Sequence, residues 1–268
     1  MPQIVLSTGS FFPNTELGFR MAAELGYDGV EVMVTHDRRS QTVANVEHLV
    51  TTYGVPVTAV HVPCLVVSQH VWGWNPEAKL RRAAEMAASL DASTVVTHPP
   101  FRWQRDYAAA FAELVATVGG ETALAGGPTV TVENMYTVDA PRGRRIEPYL
   151  GNDDESFRLY PAVTLDASHV GAARQDLLER YAFLRGRIRH VHLSDSTSKK
   201  GDEHLPPGQG TLPLHDLADA LMEDGFDGQV VLEIAVGRLP ESLRTGATKD
   251  SVEWARDAFE ERGPTVLS

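Results

Sequence analysis

Four short segments of the chain combine strand-forming residues with side chains that bind metal ions. The segments carry Glu133, Asp166, His192 and Glu233, and in each the acidic or imidazole residue follows a run of β-branched and aliphatic residues. A carboxylate or imidazole at the tip of a buried strand is costly unless a partner compensates it, and a divalent cation is a suitable partner. Two glutamates, one aspartate and one histidine after four successive strands therefore predict one metal site with four protein ligands.

Further histidines and one further aspartate lie at strand ends or on the loops that follow them. These additional candidate residues are His61, His98, His169, Asp202 and His204. A lone histidine at a strand end is more often a hydrogen-bonded core residue than a ligand, but this concentration of histidines favours a metal site with one or several ions. Mixed oxygen and nitrogen ligands predict Zn²⁺ or Mn²⁺ and are also compatible with Co²⁺ and Mg²⁺.

Eight strand-like runs alternate with helical patterns along the 268 residues. The runs are Ile4–Ser7, Gly29–Val34, Pro56–His61, Thr94–His98, Thr129–Glu133, Ala162–Asp166, Ile188–Leu193 and Gln229–Ile234. The helical patterns include Thr15–Leu25, Ala78–Ser89, Tyr107–Val118, Arg174–Phe183, Leu214–Met222 and Ser251–Glu261. This alternation predicts an α/β fold, a single (β/α)₈ TIM barrel that spans residues 1–268 as one domain. In such a barrel the C-terminal strand ends and the loops after them form the active site, and the candidate ligands lie there.

Three further features lie near the predicted site. Glu31 ends the second strand and could face the site, although a structural role at the barrel rim is the simpler interpretation. We expect Asp195 to orient His192 or a loop rather than to bind metal directly, as carboxylates outside a ligand set often do. The irregular stretch from Met135 to Tyr160 is too long for a plain connection and comes soon after Glu133, so it is a candidate lid.

Composition limits the classes of function. The net charge of −12 opposes a broad nucleic-acid footprint, although a local basic cleft would be compatible with it. The single cysteine, Cys64, excludes an intrachain disulfide, and the chain shows neither a signal-peptide pattern nor an apolar run long enough to span a bilayer. We therefore expect a cytoplasmic protein without a membrane partner, as a monomer or a homodimer.

Three short motifs, taken together and in order, resemble those of a known superfamily. They are Asp166-x-x-His169, His192-x-x-Asp195, and Asp202-x-His204 followed by Pro207-Gly208-Gln209-Gly210. With these motifs the chain resembles, over nearly its whole length, the xylose-isomerase-like TIM barrel superfamily. That superfamily includes sugar and sugar-phosphate isomerases and epimerases as well as the endonuclease IV class of DNA-repair enzymes.

The isomerase and epimerase branch implies proton transfer on a metal-bound sugar, polyol or sugar phosphate. The resemblance implies that Glu133, Asp166, His192 and Glu233 bind the metal, that Glu133 and Glu233 move the proton, and that His169 acts beside them on a substrate hydroxyl. The remaining side chains expected to contact the substrate are His61, His98, Arg102, Trp103 and His204.

The endonuclease IV branch implies a different chemistry, the hydrolysis of a phosphodiester such as abasic DNA by three zinc ions. The nine positions that match its ligands are His61, His98, Glu133, Asp166, His169, His192, Asp202, His204 and Glu233. Bulky residues after Glu133 and His98, together with the negative net charge, make this the alternative rather than the leading hypothesis. A third hypothesis, a non-catalytic metal-containing barrel, is disfavoured because Glu133 and Glu233 are both present.

Overall fold

The computed structural model describes residues 1–199 and 201–260. Within them lie ten strands: β1 (Gln3–Ser7), β2 (Gly29–Met33), β3 (Val57–His61), β4 (Thr94–Thr97), β5 (Thr129–Glu133), β6 (Val138–Ala140), β7 (Arg144–Ile146), β8 (Val163–Asp166), β9 (Ile188–His192) and β10 (Gln229–Leu232). Apart from β6 and β7, these strands are parallel and close a barrel in the order β1-β10-β9-β8-β5-β4-β3-β2. The single (β/α)₈ barrel predicted from the alternation of elements is therefore confirmed.

Helices surround the barrel and connect its strands. They are α1 (Thr15–Leu25), α2 (Val43–Tyr53), α3 (Pro76–Ser89), α4 (Arg105–Leu124), α5 (Asp154–Phe157), α6 (Ala167–Ala172), α7 (Leu177–Leu184), α8 (Leu214–Glu223) and α9 (Glu241–Phe259). Local signals set several of these bounds. Asn14 accepts a hydrogen bond from the backbone N–H of Leu17 and begins α1, and Gly26 ends it in the left-handed conformation, which glycine adopts without strain.

Both faces of the barrel strands are buried, which explains why they appear in the sequence as continuous apolar runs. Strands β2, β3 and β4 contain only buried residues. Outside the barrel wall they contact the helices in one large apolar core. Inside it, polar pairs occur, for instance Thr131 and Thr164, whose hydroxyl oxygens are 2.7 Å apart.

The structure corrects two predicted helix bounds. The pattern Arg174–Phe183 is only partly helical, because Arg174 has a positive φ of 56° and the Asp176 carboxylate caps the helix that begins at Leu177. The pattern Ser251–Glu261 is the second half of α9, which begins ten residues earlier, at Glu241, and Glu261 lies outside the described residues. Helices α2, α5 and α6 have no counterpart among the predicted patterns.

The irregular stretch after Glu133 contains an antiparallel hairpin formed by β6 and β7. Beyond the hairpin, Tyr149 stacks on Phe101 with ring centroids 4.9 Å apart, and the two residues also form a β-bridge. Met135 packs in the same small apolar cluster. Its backbone N–H donates to Asn152 within the stretch. The β-bridge between Phe101 and Tyr149 connects the stretch to the loop after β4. Along the part of the chain that the structure describes, we find no helix with the length and apolarity needed to cross a membrane.

Candidate metal centre

Four strand ends deliver four ligand-type side chains to one end of the barrel. Glu133, Asp166 and His192 are the last residues of β5, β8 and β9, and Glu233 directly follows β10. Because the strands are parallel, their C-terminal ends meet at the same mouth. Glu133, Asp166 and His192 are fully buried, whereas 13% of the Glu233 side chain is exposed.

The four side chains converge on one nitrogen atom. His192 Nδ1 lies 3.0 Å from a Glu233 carboxylate oxygen, 3.4 Å from one of Glu133 and 3.5 Å from one of Asp166. Neither this nitrogen nor Asp166 Oδ2 makes a hydrogen bond, although both are buried. Three carboxylates grouped around one nitrogen atom repel one another unless a positive charge lies between them. The donor set, oxygen and imidazole nitrogen within 4.8 Å of one another, therefore fits a divalent metal ion.

Neighbouring residues hold Asp166 in place. Its Oδ1 accepts the backbone N–H of His169 at 2.6 Å, which begins helix α6. The Asn134 side chain pairs with the Asp166 backbone, accepting its N–H at 2.9 Å and donating to its carbonyl oxygen at 3.0 Å. These two hydrogen bonds connect the C-terminal ends of β5 and β8 beside the cluster.

Three additional histidines surround Glu133. His61 Nε2 and His98 Nε2 lie 3.2 and 3.0 Å from its Oε2, and His169 Nδ1 lies 3.0 Å from its Oε1. Burial by itself raises the pKa of Glu133, but His192, His98 and His169 outweigh it and hold that pKa well below its usual range. Glu133 therefore remains a carboxylate, able to act as a ligand or as a base.

A second potential ion position lies beside the first. One ligand atom each of Asp166, His169 and His204 lies within 4.8 Å of the others. Asp202 joins them, with oxygens 2.9 Å from His204 Nε2 and 3.7 Å from His169 Nε2. Burial raises the pKa of Asp202, but His204 and His169 outweigh it and lower that pKa strongly.

A cavity of about 190 Å³ opens above the cluster. Its polar lining contains His61, His98, Glu133, His169, Asp202, His204 and Glu233. Its apolar walls are Phe12, Met33, Leu65, Val67 and Met135, with Tyr136 beside them. Gly9 forms part of the floor, where a Cβ atom would lie 3.2 Å from a Glu233 oxygen and 2.8 Å from Met33. Seven of the nine predicted ligands line this cavity, and the other two, Asp166 and His192, lie in the cluster with Glu133 and Glu233. The structure thus brings all nine predicted ligand positions together.

Two predicted substrate contacts lie farther out. Trp103 is 64% exposed and stacks on Phe101 with ring centroids 4.3 Å apart. Arg102 is exposed, and its guanidinium donates to the Glu147 carbonyl oxygen. Neither residue lines the cavity. Their contact with a substrate stays a prediction.

Two residues near the centre were not predicted as part of it. Cys64 lies with its sulfur within 4.8 Å of a ring nitrogen of His61 and of His98. The spacing His61-x-x-Cys64 is the signal that could have indicated this. Glu31 lies in the middle of β2 rather than at its end as expected, is fully buried inside the barrel, and contacts His192 and His190. Burial raises its pKa, but these two histidines outweigh it and hold that pKa well below the usual range.

Asp195 organises the loop after β9 rather than the cluster. Its carboxylate oxygens accept four backbone N–H groups, those of Ser196, Gly208, Gly210 and Leu212. A Cβ atom on Gly210 would lie 2.3 Å from Asp195 Oδ1, so only glycine fits there. This arrangement agrees with the loop-orienting role expected from the sequence.

The fold and the site define a class: a parallel (β/α)₈ barrel with a buried cluster of histidine and carboxylate side chains that could hold a metal ion at the C-terminal ends of its strands. Residues 19–258 match the family of xylose isomerase-like TIM barrels, and the chain belongs to that family. The family resemblance inferred from the sequence motifs is thereby confirmed.

Relatives of known sequence fall in two groups. An uncharacterized protein of Mycobacterium leprae is 38% identical over 274 residues, which cover 95% of this chain and 96% of that protein. Fructoselysine 3-epimerase of Escherichia coli O157:H7 is 23% identical over 247 residues, with 82% of this chain and 85% of the epimerase covered. Of these two relatives, the more distant one has a named activity.

Solved structures share the fold at low sequence identity. A D-tagatose 3-epimerase-like protein superposes with a TM-score of 0.68 at 21% identity, covering 97% of this chain and 98% of its own. AP endonuclease family 2 from Brucella melitensis gives a TM-score of 0.71 at 21% identity, covering 96% and 99%. The IOLI protein with a bound zinc atom gives 0.70 at 15% identity, covering 98% and 99%.

Proposed function

We propose that the protein is a metal-dependent isomerase or epimerase that acts on a small keto sugar or polyol by proton transfer. The observation that carries this proposal is the pair Glu133 and Glu233. Both carboxylates reach His192 Nδ1, at 3.4 and 3.0 Å, from strands that are separated by β8 and β9 in the barrel. Two carboxylates that approach one site from different strands are suited to remove a proton from a substrate and to return one.

The proposed roles follow from where each side chain lies. Glu133, Asp166, His192 and Glu233 would hold the ion, which when bound polarises a carbonyl group and stabilises negative charge beside it. One glutamate accepts the proton of the carbon next to the carbonyl, and the other, protonated beforehand, delivers a proton to the opposite face. That carbon is thereby inverted. His169 lines the cavity beside Glu133 and would hydrogen-bond a substrate hydroxyl.

The cavity supports an uncharged substrate. None of the described residues that line it is a lysine or an arginine. A phosphate group is usually held by such side chains or by backbone N–H groups. The volume of about 190 Å³ suits a small molecule, and apolar walls such as Phe12 and Met135 can cover the C–H faces of a sugar. The names of two similar proteins, fructoselysine 3-epimerase and a D-tagatose 3-epimerase-like protein, support the same substrate class.

The test is solvent-proton exchange in deuterated water. The Mn²⁺- or Zn²⁺-loaded protein is incubated with fructoselysine, D-tagatose, D-allulose and related ketoses. Products are separated by chromatography, and deuterium at the carbon beside the carbonyl is measured by NMR. We expect one substrate to exchange and epimerise or isomerise. Absence of exchange from the whole panel, by a protein shown to bind metal, would contradict the proposal.

A pair of variants tests the role of Glu233 in proton transfer. Glu233→Gln removes one carboxylate from the cluster and should abolish turnover while the fold remains stable. Glu253→Gln makes the same change on the outer surface of α9, where that side chain is 60% exposed and pairs with Lys249. It should leave turnover unchanged. Full turnover in Glu233→Gln would overturn the assigned role.

A second candidate function is zinc-dependent hydrolysis of a phosphodiester. It is favoured by one observation, the presence of more potential ligands than one ion needs, including Asp202 and His204 beside the first cluster. Elemental analysis distinguishes the two candidates. The hydrolase would be supported by two or three zinc ions per chain that are lost, together with cleavage of abasic DNA, in His98→Ala or His204→Ala. One ion per chain and no cleavage would exclude it.

A further inference from the structure

A buried carboxylate lies directly behind the predicted metal ligand His192. Glu31 is in the middle of β2 and has no exposed surface. Its Oε2 lies 3.1 Å from His192 Nε2 and 2.9 Å from His190 Nε2. The opposite nitrogen of His192, Nδ1, faces the carboxylates of the metal cluster. Among the described residues, Glu31 therefore contacts the metal site through the imidazole of His192.

The hydrogen bond to Glu31 selects the tautomer of His192. An ionised carboxylate can only accept hydrogen bonds, so Nε2 of His192 must carry the proton. In the neutral ring Nδ1 then has a free lone pair, directed at the cluster. With the proton on Nδ1 instead, the lone pair would face Glu31 and the ring could not bind a cation in the cluster. The position of one carboxylate thus decides whether His192 is a ligand.

The Glu31 oxygen that contacts His192 also contacts His190, from which a second chain of hydrogen bonds continues, whereas Oε1 of Glu31 is buried without a hydrogen-bond partner. His190 Nδ1 lies 2.9 Å from Gln229 Oε1. The Gln229 amide has a defined orientation because its Nε2 donates to the Thr58 carbonyl oxygen at 2.8 Å and to Ser93 Oγ at 2.9 Å. Its oxygen must therefore face His190. His190 can hydrogen-bond to both Gln229 and Glu31 only as an imidazolium, which donates through Nδ1 to the first and through Nε2 to the second. Groups from β2, β3, β9 and β10 are linked in this way below the metal cluster.

We propose that Glu31 is a positioning residue of the metal centre, which fixes the tautomer and the ring orientation of His192, and that His190 and Gln229 hold Glu31 in place. The proposal rests on the metal site of the proposed function and is independent of the substrate. Partners that hydrogen-bond to a metal-binding histidine typically change metal affinity by about 10–100-fold when they are replaced.

The test measures metal affinity in Glu31→Gln. The variant keeps the size of the side chain, removes its charge, and can offer an N–H to His192 Nε2, which favours the wrong tautomer. Metal-free protein is titrated with Zn²⁺ and Co²⁺ against a chelating dye. We expect affinity to fall about 10–100-fold and the visible spectrum of the Co²⁺ form to change as His192 leaves the ligand set.

Thr131→Val is the matched control. Thr131 lies two residues before Glu133 on the inner face of β5, so it has the same position relative to a predicted ligand as His190 has to His192. Its hydroxyl pairs with Thr164 and not with a predicted ligand. It should bind both metals as the wild type does. Glu31→Gln with affinities within about threefold of the wild type and an unchanged Co²⁺ spectrum would overturn the proposal.

A measurement on the wild-type protein covers the case in which Glu31→Gln does not fold. Nitrogen–proton correlation spectra of ¹⁵N-histidine-labelled, Zn²⁺-loaded protein should show His192 protonated at Nε2 and metal-bound at Nδ1. A proton on Nδ1 would refute the proposal. A wild-type protein that binds neither Zn²⁺ nor Co²⁺ would refute the metal site and this proposal together. Metal binding that weakens in Glu31→Gln, without turnover of any sugar, would instead reject the isomerase and keep the role of Glu31.

Discussion

Replacing Asp166 by asparagine should stabilise the metal-free protein and weaken metal binding, two effects of opposite sign. Asp166 is fully buried, its Oδ1 accepts the N–H of His169, and its Oδ2 has no hydrogen-bond partner. Asparagine keeps the acceptor that begins α6 and replaces the unpaired oxygen by an NH₂ group. That group would lie near His192 Nδ1, which is 3.5 Å from the present oxygen and accepts a hydrogen bond when the ring is neutral.

The magnitude follows from the like charges that the substitution separates. Ligand oxygens of Glu133, Asp166 and Glu233 lie within 4.8 Å of one another, where two unit charges repel by about 3 kcal/mol at an effective dielectric constant of about 20. Protonated histidines around the cluster offset this repulsion in the metal-free protein, so we expect the free energy of unfolding to rise by about 1–3 kcal/mol at alkaline pH, where these histidines are neutral. With metal bound, removing one partner of a buried charge pair costs about 3–5 kcal/mol, which corresponds to at least about 100-fold in affinity.

The assay is urea denaturation of the protein with and without Zn²⁺, together with a chelator competition for affinity. Asp195→Asn serves as the control, because Asp195 is also a buried carboxylate but accepts four backbone N–H groups. It should lose about 2–6 kcal/mol in both forms, since each oxygen accepts two N–H groups and two of them then face an NH₂ group, at about 1–3 kcal/mol each. If Asp166→Asn destabilised the metal-free protein as Asp195→Asn does, the carboxylates would not be arranged around a cation and the reasoning would fail.

Two further predictions concern the surroundings of the site. The metal-free protein should lose stability as pH rises from 6.5 to 10, measured by urea denaturation, and the loss should be smaller with metal bound. Burial lowers the pKa of His98, but the nearby Cys64 and Glu133 outweigh burial and raise that pKa to about 9. Burial likewise lowers the pKa of His204, and Asp202 outweighs it and raises that pKa to about 9. A histidine whose pKa is raised in the folded state stabilises the protein fully below its ordinary pKa of about 6.5. This contribution, up to about 3 kcal/mol per histidine, is lost as the pH rises through about 9. Gly210→Ala should cost about 2 kcal/mol or more through its clash with Asp195, whereas Gln209→Ala on the same loop should cost little; equal losses in thermal unfolding would contradict the role of that glycine.

Much of the fold could be predicted because barrel strands are short, buried on both faces and regularly spaced. The run Thr129–Glu133 coincides with β5, and Thr15–Leu25 coincides with α1. The bounds of α7 and α9 could not be predicted in the same way. A capping aspartate within a polar segment set the first, and the second begins in a stretch without a clear apolar period.

The candidate site could be predicted in part for the same physical reason. A polar residue at the end of a parallel strand lies at the barrel mouth regardless of the conformation of the loops. Glu133 and His192 could therefore be placed from the sequence. Loop side chains have no such constraint. Trp103 follows β4 as predicted, yet it stacks on Phe101 at the rim, because an exposed loop can direct an aromatic ring outward or inward with little difference in backbone position.

The contact between Glu31 and His192 illustrates what strand patterns leave undetermined. Alternation along β9 places His190 and His192 on the same face, since residues two apart in a strand point the same way. Two inward histidines one layer apart need hydrogen-bond partners inside the barrel. The partner, Glu31, is on β2, which is separated from β9 by β1 and β10 in the barrel order. Which residues meet across the interior depends on the tilt and stagger of the closed barrel, and these are properties of all eight strands together rather than of any one segment.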